Sequence, residues 1–288
     1  MLDIERRGKL ILKRLTEAQA KENDKIYEII TEETGINREV SNLTRVICDK
    51  VKSNENKTQS YPVVIAGAEY QIQFYFEDYE EKNEAPKEKL DYTGITYFQD
   101  PIINIFGYRI RKKVHVPKLM EVVSHELLHA FNLQMSKKDG FINNKKEVDI
   151  YQKSVQNARN KKLSKDETNV AYAIYLSYKF ESNAFENGLY NYLMASGDVL
   201  TFPGDEMSLL TETMYYKRFT KVKNAHNFVK NNIDAAEKIA ETYGKNYTWL
   251  KKTVEFALKN TRRQIGRAIV RFKNDYDWTH GGKTSITI

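Results

Sequence analysis

A chain of 288 residues can bury one large core or two modest ones, so length alone does not force reliance on disulfides or a structural metal. The single cysteine, Cys48, excludes an internal disulfide framework. With 46 Lys+Arg against 39 Asp+Glu the net charge is only +7, too modest an excess to make nucleic acid the expected partner.

The opening "MLDIERRGKLILKRL" has no apolar run long enough for a signal-peptide core or a membrane span, so the expected location is the cytoplasm, with no segment in a membrane. Residues 1–56 read as an N-terminal helical segment. Apolar positions recur at helical spacing in "KIYEIITEE" and in "VSNLTRVICDKV", with Gly35 between them. After the polar "KSNENKTQS" the period falls to two. Tyr70, Ile72, Phe74 and Phe76 alternate with Gln71, Gln73 and Tyr75, the pattern of a half-buried strand in a hairpin that turns near Gly67.

The charged "EDYEEKNEAPKEKLD" reads as a loop, and "GITYFQDPIINIFGYRIRKKVHV" supplies two or three more short strands, confining β structure to roughly residues 60–116. From Pro117 onward the pattern is helical, apart from the polar "SKKDGFINNKKEVD" and breaks near Gly197, "FPGD" and Gly244. Residues 57–200 therefore form the core and 201–288 a C-terminal helical region. Basic runs such as "TRRQIGRAIVRFK" fit a solvated helix face. The expected fold class is α+β and mostly helical, with a small antiparallel sheet packed on one helix.

The chemistry concentrates in "VVSHELLHAFN". Pro117 suits a first helical turn, where its missing N–H costs nothing, so a helix starting there carries His125 and His129 one turn apart on the same face. Two imidazoles so placed can hold one zinc ion. Glu126 sits about 100° around the helix from His125, beside the metal without being a ligand, where it can take a proton from an activated water.

A catalytic zinc site usually takes a third protein ligand. His115, His226 and His280 are the remaining histidines, and no His-x-x-Gly-x-x-His continuation is present, so a carboxylate is expected. Glu147 and Asp149 in "KKEVDIY" follow His129 by eighteen and twenty residues, a spacing like that of thermolysin-type enzymes, but their polar surroundings read as loop.

Glu181 is the other candidate. It belongs to a long segment opened by a Ser164–Glu167 capping box, in which Ala173, Ser177, Glu181, Ala184 and Gly188 share one face. Small residues on either side of one carboxylate let a second helix approach, and a metal with two histidines would neutralise the buried charge. Glu186, about 140° away around the helix, cannot share that role.

With "HELLH" on one helix and Glu181 with Ala184 as Glu-x-x-Ala on a later one, the chain resembles zincin metallopeptidases, and more narrowly gluzincins. It is also similar to uncharacterised metallopeptidase-like proteins of phages and bacterial mobile elements, in which Tyr-Leu-Ser precedes the Glu-x-x-Ala, as in "IYLSYKFESNA". The resemblance spans roughly residues 100–195, and an Asn-Glu-x-x-x-Asp signature is missing. It implies a zincin-like core in which His125, His129 and Glu181 bind Zn²⁺ and Glu126 activates water. It also implies an antiparallel edge strand that pairs with an extended peptide, a place that "PIINIFGYRI" would take.

The function so implied is hydrolysis of peptide bonds in a peptide or protein substrate, with a tyrosine or His280 available to stabilise the oxyanion. The alternative is a structural or assembly protein, virion-associated in a phage particle and part of a larger assembly, that keeps a zincin-like fold with little or no activity.

Overall fold

A computed structural model describes residues 27–29, 36–79, 92–97, 100–139, 145–196 and 213–276. The chain divides into two compact units, Met1–Asp139 and Gly140–Ile288. The described residues are mostly helical, with one small sheet, an α+β composition. None of the described helices is long and apolar enough to cross a membrane.

In the first unit, β1 (Tyr27–Ile29), β2 (Thr58–Ile65), β3 (Ala68–Tyr79), β4 (Thr93–Thr96), β5 (Ile102–Ile110) and β6 (Lys113–Val114) make a sheet of order β1-β2-β3-β5-β4, with β6 also on β5. The helices are α1 (Ile36–Ser53) and α2 (Val116–Asp139). The predicted hairpin is β2–β3. Ala66 and Gly67 both have positive φ, 51° and 81°, the two-residue turn whose twist matches antiparallel strands. Along β3 the alternation holds: Tyr70, Ile72, Phe74 and Phe76 are buried while Gln71 and Tyr75 are exposed. Phe74 is fully buried, which stabilises the unit by about 2 kcal/mol.

The structure corrects three expectations about this unit. The sheet is mixed: β1 runs parallel to β2 and β3 parallel to β5, while β2–β3 and β4–β5 are antiparallel. "KIYEIITEE" contributes a strand, because Tyr27 and Ile29 flanking Glu28 also satisfy a period of two, and pairing with β2 overrides the helical spacing. Strand structure thus also lies outside residues 60–116. Finally, "PIINIFGYRI" is an interior strand. β5 bonds β3 along one side and β4, then β6, along the other, which leaves β4 on the edge among the described strands.

The inner sheet face meets the helices. Val40, Leu43, Ile47 and Val51 of α1 are buried, and α2 is buried almost all round from Leu119 to Phe131, as a helix enclosed by a core must be. Its start is fixed by Tyr92. That hydroxyl donates to the Tyr108 carbonyl at 2.5 Å and accepts from the His115 N–H at 2.8 Å. Gly107 lets the ring lie flat on the strand, since a Cβ there would overlap the ring carbons.

The second unit is helical: α3 (Lys145–Arg159), α4 (Lys165–Leu176), α5 (Lys179–Ser196), α6 (Met214–Asn231), α7 (Ile233–Thr242) and α8 (Tyr247–Asp275). Its core gathers Val170, Ile174, Phe185, Leu189, Val222 and Phe272, with the rings of Phe185 and Tyr215 edge to face at 4.3 Å. The Ser164–Glu167 capping box forms in both directions, at 3.2 and 2.8 Å. Gly244 ends α7 at φ 66°, with the Lys245 N–H reaching back to the Ala240 carbonyl.

The predicted single helix from Ser164 to Gly197 is two. At Ser177 the backbone N–H is shared between the Ala173 and Ile174 carbonyls and the hydroxyl donates to Ile174 O at 2.6 Å, so the side chain competes with the helical ladder and α4 stops. The polar stretch before it is also partly helical. α3 begins at Lys145, which places Glu147 and Asp149 on a helix and not in a loop. The breaks expected near Gly197 and "FPGD" lie outside the described residues.

Candidate metal centre

Pro117 falls in the first turn of α2, and the helix continues unbroken through the histidine pair. His125 is 6 % exposed and His129 half-buried. Their rings stand nearly perpendicular, 4.5 Å between centroids, with the two Nε2 atoms 2.9 Å apart. Two lone pairs cannot face each other at that distance without a proton or a cation between them. A tetrahedral ion with bonds of about 2.05 Å holds two nitrogens roughly 3.3 Å apart, close to what the pair already presents.

Glu126 follows His125 in sequence and is 6 % exposed. Its side chain lies against β4. The Thr96 Oγ1 hydroxyl is 2.7 Å from Glu126 Oε2 and 3.2 Å from the Glu126 carbonyl; with one proton to give, its main bond is to the carboxylate. Two residues before Thr96 is Gly94. A Cβ there would overlap Glu126 Cγ outright and stand 2.7 Å from Cδ and Oε1, so the backbone of β4 forms a wall that only glycine leaves open. The register Gly94↔Ile105 and Thr96↔Ile103 puts both residues on the sheet face that packs against α2.

Glu181 lies in the first turn of α5, where the partial positive charge of the helix N-terminus favours a carboxylate. It is 1 % exposed, with Ala184 and Gly188 buried along the same face. The Tyr151 hydroxyl on α3 donates to Glu181 Oε1 at 2.6 Å. Around it the Tyr151 ring stacks on Tyr175 and meets Tyr178 edge to face. Burial, followed by the charge of Glu181, holds the Tyr175 phenol well above its ordinary pKa, so it stays protonated.

His125 and His129 of the first unit and Glu181 of the second are residues that could hold a metal ion. Two imidazole nitrogens and one carboxylate oxygen are donors that suit borderline divalent metals.

The rival carboxylates have other surroundings. Asp149 is exposed, and the Tyr178 hydroxyl lies 3.2 Å from the Glu147 backbone carbonyl and 3.4 Å from its carboxylate, which faces Lys245 at 4.0 Å. Glu186 sits between Arg267 and Arg271, as its place around the helix requires. His115 is an exposed residue just ahead of α2, where Nδ1 accepts from the Lys118 N–H at 3.3 Å. His226 lies on α6, and His280 is outside the described residues.

Three contributors escape a reading of motifs. Tyr151 is one of nineteen tyrosines and carries no local mark. Thr96 carries none either, whereas Gly94 does: a glycine inside a short strand signals close approach of another group. Comparison of the chain with protein-family models, curated proteins and solved structures finds no match.

Proposed function

We propose that the chain is a zinc-dependent peptidase, with His125, His129 and Glu181 as ligands and Glu126 as general base. The observation that carries this reading is the pair of α2 histidines with Nε2 atoms 2.9 Å apart, supported in the second unit by a buried carboxylate already oriented by a tyrosine. An exposed acidic cluster would mean little. A carboxylate 1 % exposed would, with two imidazole nitrogens, make the kind of three-ligand set that catalytic zinc uses.

Zinc in such a site supplies an acidified water and a Lewis acid for the peptide carbonyl. The residues supply the rest. His125 and His129 offer Nε2 from one helical face. Glu181 offers carboxylate oxygen, its orientation set by Tyr151, as outer hydrogen bonds commonly set those of metal ligands. Glu126 accepts a proton at its carboxylate and returns it to the departing amine.

Metal analysis of the purified chain tests the site: about one zinc per chain is expected, and His129→Ala should abolish it. Glu126→Gln should keep the zinc and lose at least about a hundredfold in the hydrolysis of an unfolded protein substrate. A native protein that takes up no zinc defeats the reading. Zinc bound without cleavage of any substrate moves the chain to a structural or assembly role.

A further inference from the structure

We infer that the edge strand β4 is a built cradle for the Glu126 carboxylate, in which Thr96 is a positioning residue and Gly94 the opening that admits the side chain. This rests on the peptidase reading for its kinetic consequence. The cradle itself rests on geometry.

A glutamate side chain has three rotatable bonds, and the last of them is soft, so a general base on a helix does not by itself present its carboxylate in one orientation. Here two contacts restrict that freedom. Thr96 donates to Oε2 at 2.7 Å, which holds the carboxylate plane. The bare backbone at Gly94 receives Cγ, Cδ and Oε1 closer than any Cβ would tolerate, which fixes the side chain's path. Both residues alternate correctly in a four-residue strand to face α2, and the strand is antiparallel to β5 with Gly94 opposite Ile105. The same threonine hydroxyl lies 3.2 Å from the Glu126 carbonyl, so it stands beside both the backbone and the tip of one residue.

The function of such a cradle is orientation. A base held at the correct angle loses little entropy on reaching the proton it must take, and misplacement by about an ångström is costly in rate. Thr96 acts through Glu126, so its removal should lower kcat and leave KM nearly alone.

The test uses the full chain and two conservative variants. Thr96→Val deletes the hydroxyl at nearly constant volume, and Thr96→Ser keeps it. In the zinc-loaded protein Thr96→Val should lower kcat by about 10- to 100-fold, the worth of a hydrogen bond to a charged group, with KM within about twofold. Thr96→Ser should restore most of the rate. A second readout needs no turnover: in protein carrying ¹³C at glutamate Cδ, the resonance that disappears in Glu126→Gln should move in Thr96→Val and stay in Thr96→Ser. Gly94→Ala should move the same resonance by steric displacement. If that resonance is indifferent to Thr96→Val, or the variant turns over like the parent, the cradle is overturned. A parent chain that cleaves nothing while the resonance responds overturns the peptidase reading and the kinetic role of Thr96, and supports the cradle as a structural element.

Discussion

Replacing Tyr151 with Phe removes a single hydroxyl from the second unit, and the surroundings of that hydroxyl set the size of the effect. It donates at 2.6 Å to Glu181 Oε1, and Glu181 is 1 % exposed, so bulk water does not reach the carboxylate to replace it. A hydrogen bond to a charged group of this kind is worth about 1.5 to 3 kcal/mol, and deleting an outer partner of a metal ligand weakens binding by about 10- to 100-fold. The two figures agree, since about 1.4 kcal/mol is a tenfold change in affinity. The phenylalanine ring retains the stack on Tyr175 at 5.8 Å and the edge contact with Tyr178 at 5.2 Å, so the helices need not repack. Competition for zinc against a chromogenic chelator measures the affinity directly, and circular dichroism checks the helices. A folded Tyr151→Phe chain that binds zinc within twofold of the parent would refute the reasoning. Glu181→Gln then separates the causes: lost binding there would mean that Glu181 is a ligand that needs no tyrosine.

Three further predictions concern stability and pH in the first unit. Burial raises the Glu39 carboxyl on α1 from 4.5 to about 7, so between those values the folded chain holds a proton that the unfolded chain has released. Stability should therefore fall as pH rises through that window and level off above it, and Glu39→Gln should flatten the slope in urea titrations at a series of pH values. Arg109 is 3 % exposed and meets Asp78 Oδ1 at 2.7 Å, a bond that holds the Asp78 carboxyl below its ordinary value of 3.8. That stabilisation is present above the ordinary value and lost as pH drops through the depressed one; Asp78→Asn should cost about 1.5 kcal/mol at neutral pH, the worth of a hydrogen bond to a charged group, because Asp78 is exposed and Arg109 keeps its bond to the Glu55 carbonyl, and an unchanged urea midpoint would contradict this. Tyr92→Phe leaves the Tyr108 carbonyl and the His115 N–H without their shared hydroxyl, and should cost about 2 kcal/mol, read as a lower urea midpoint with an unchanged slope.

What was legible in the sequence was local. The burial of Tyr70, Ile72, Phe74 and Phe76 follows from a period of two within one strand, and His125 and His129 share a face because 3.6 residues make a turn. The Ser164 cap needs only the residue three positions on, and the burial of Glu181 follows from the small residues along its own face. What escaped depended on partners distant in sequence. Tyr27–Ile29 becomes a strand because Val63–Ile65 offers it a ladder, and one alternation over three residues does not by itself outweigh the helical spacing around it. The parallel pairing of β3 with β5 is decided by the route of the chain between them, not by the alternation within either. Ser177 reads as a small residue on a helical face, yet its hydroxyl turns back on Ile174 and divides the helix. Tyr151 and Thr96 gain their roles only from what stands opposite them.

The parallel ladder between β3 and β5 also sets an order in time. Gln71 pairs with Ile102, so a chain leaving the ribosome at about 5 to 20 residues per second completes the β2–β3 hairpin a few seconds before the second partner of β3 exists. The hairpin is local and closes within microseconds, whereas the parallel pairing must wait for the intervening charged stretch and then close a large loop. During that interval Tyr70, Ile72, Phe74 and Phe76 have neither β5 beside them nor α2 beneath them, since α2 starts later still. The acidic and lysine-rich residues 80–91, which follow β3 in the sequence, are the first to emerge in the gap, and charges and a proline beside an open strand edge disfavour its pairing with a second chain. A charged stretch at that point in the sequence thus disfavours edge-to-edge pairing while the sheet is unfinished.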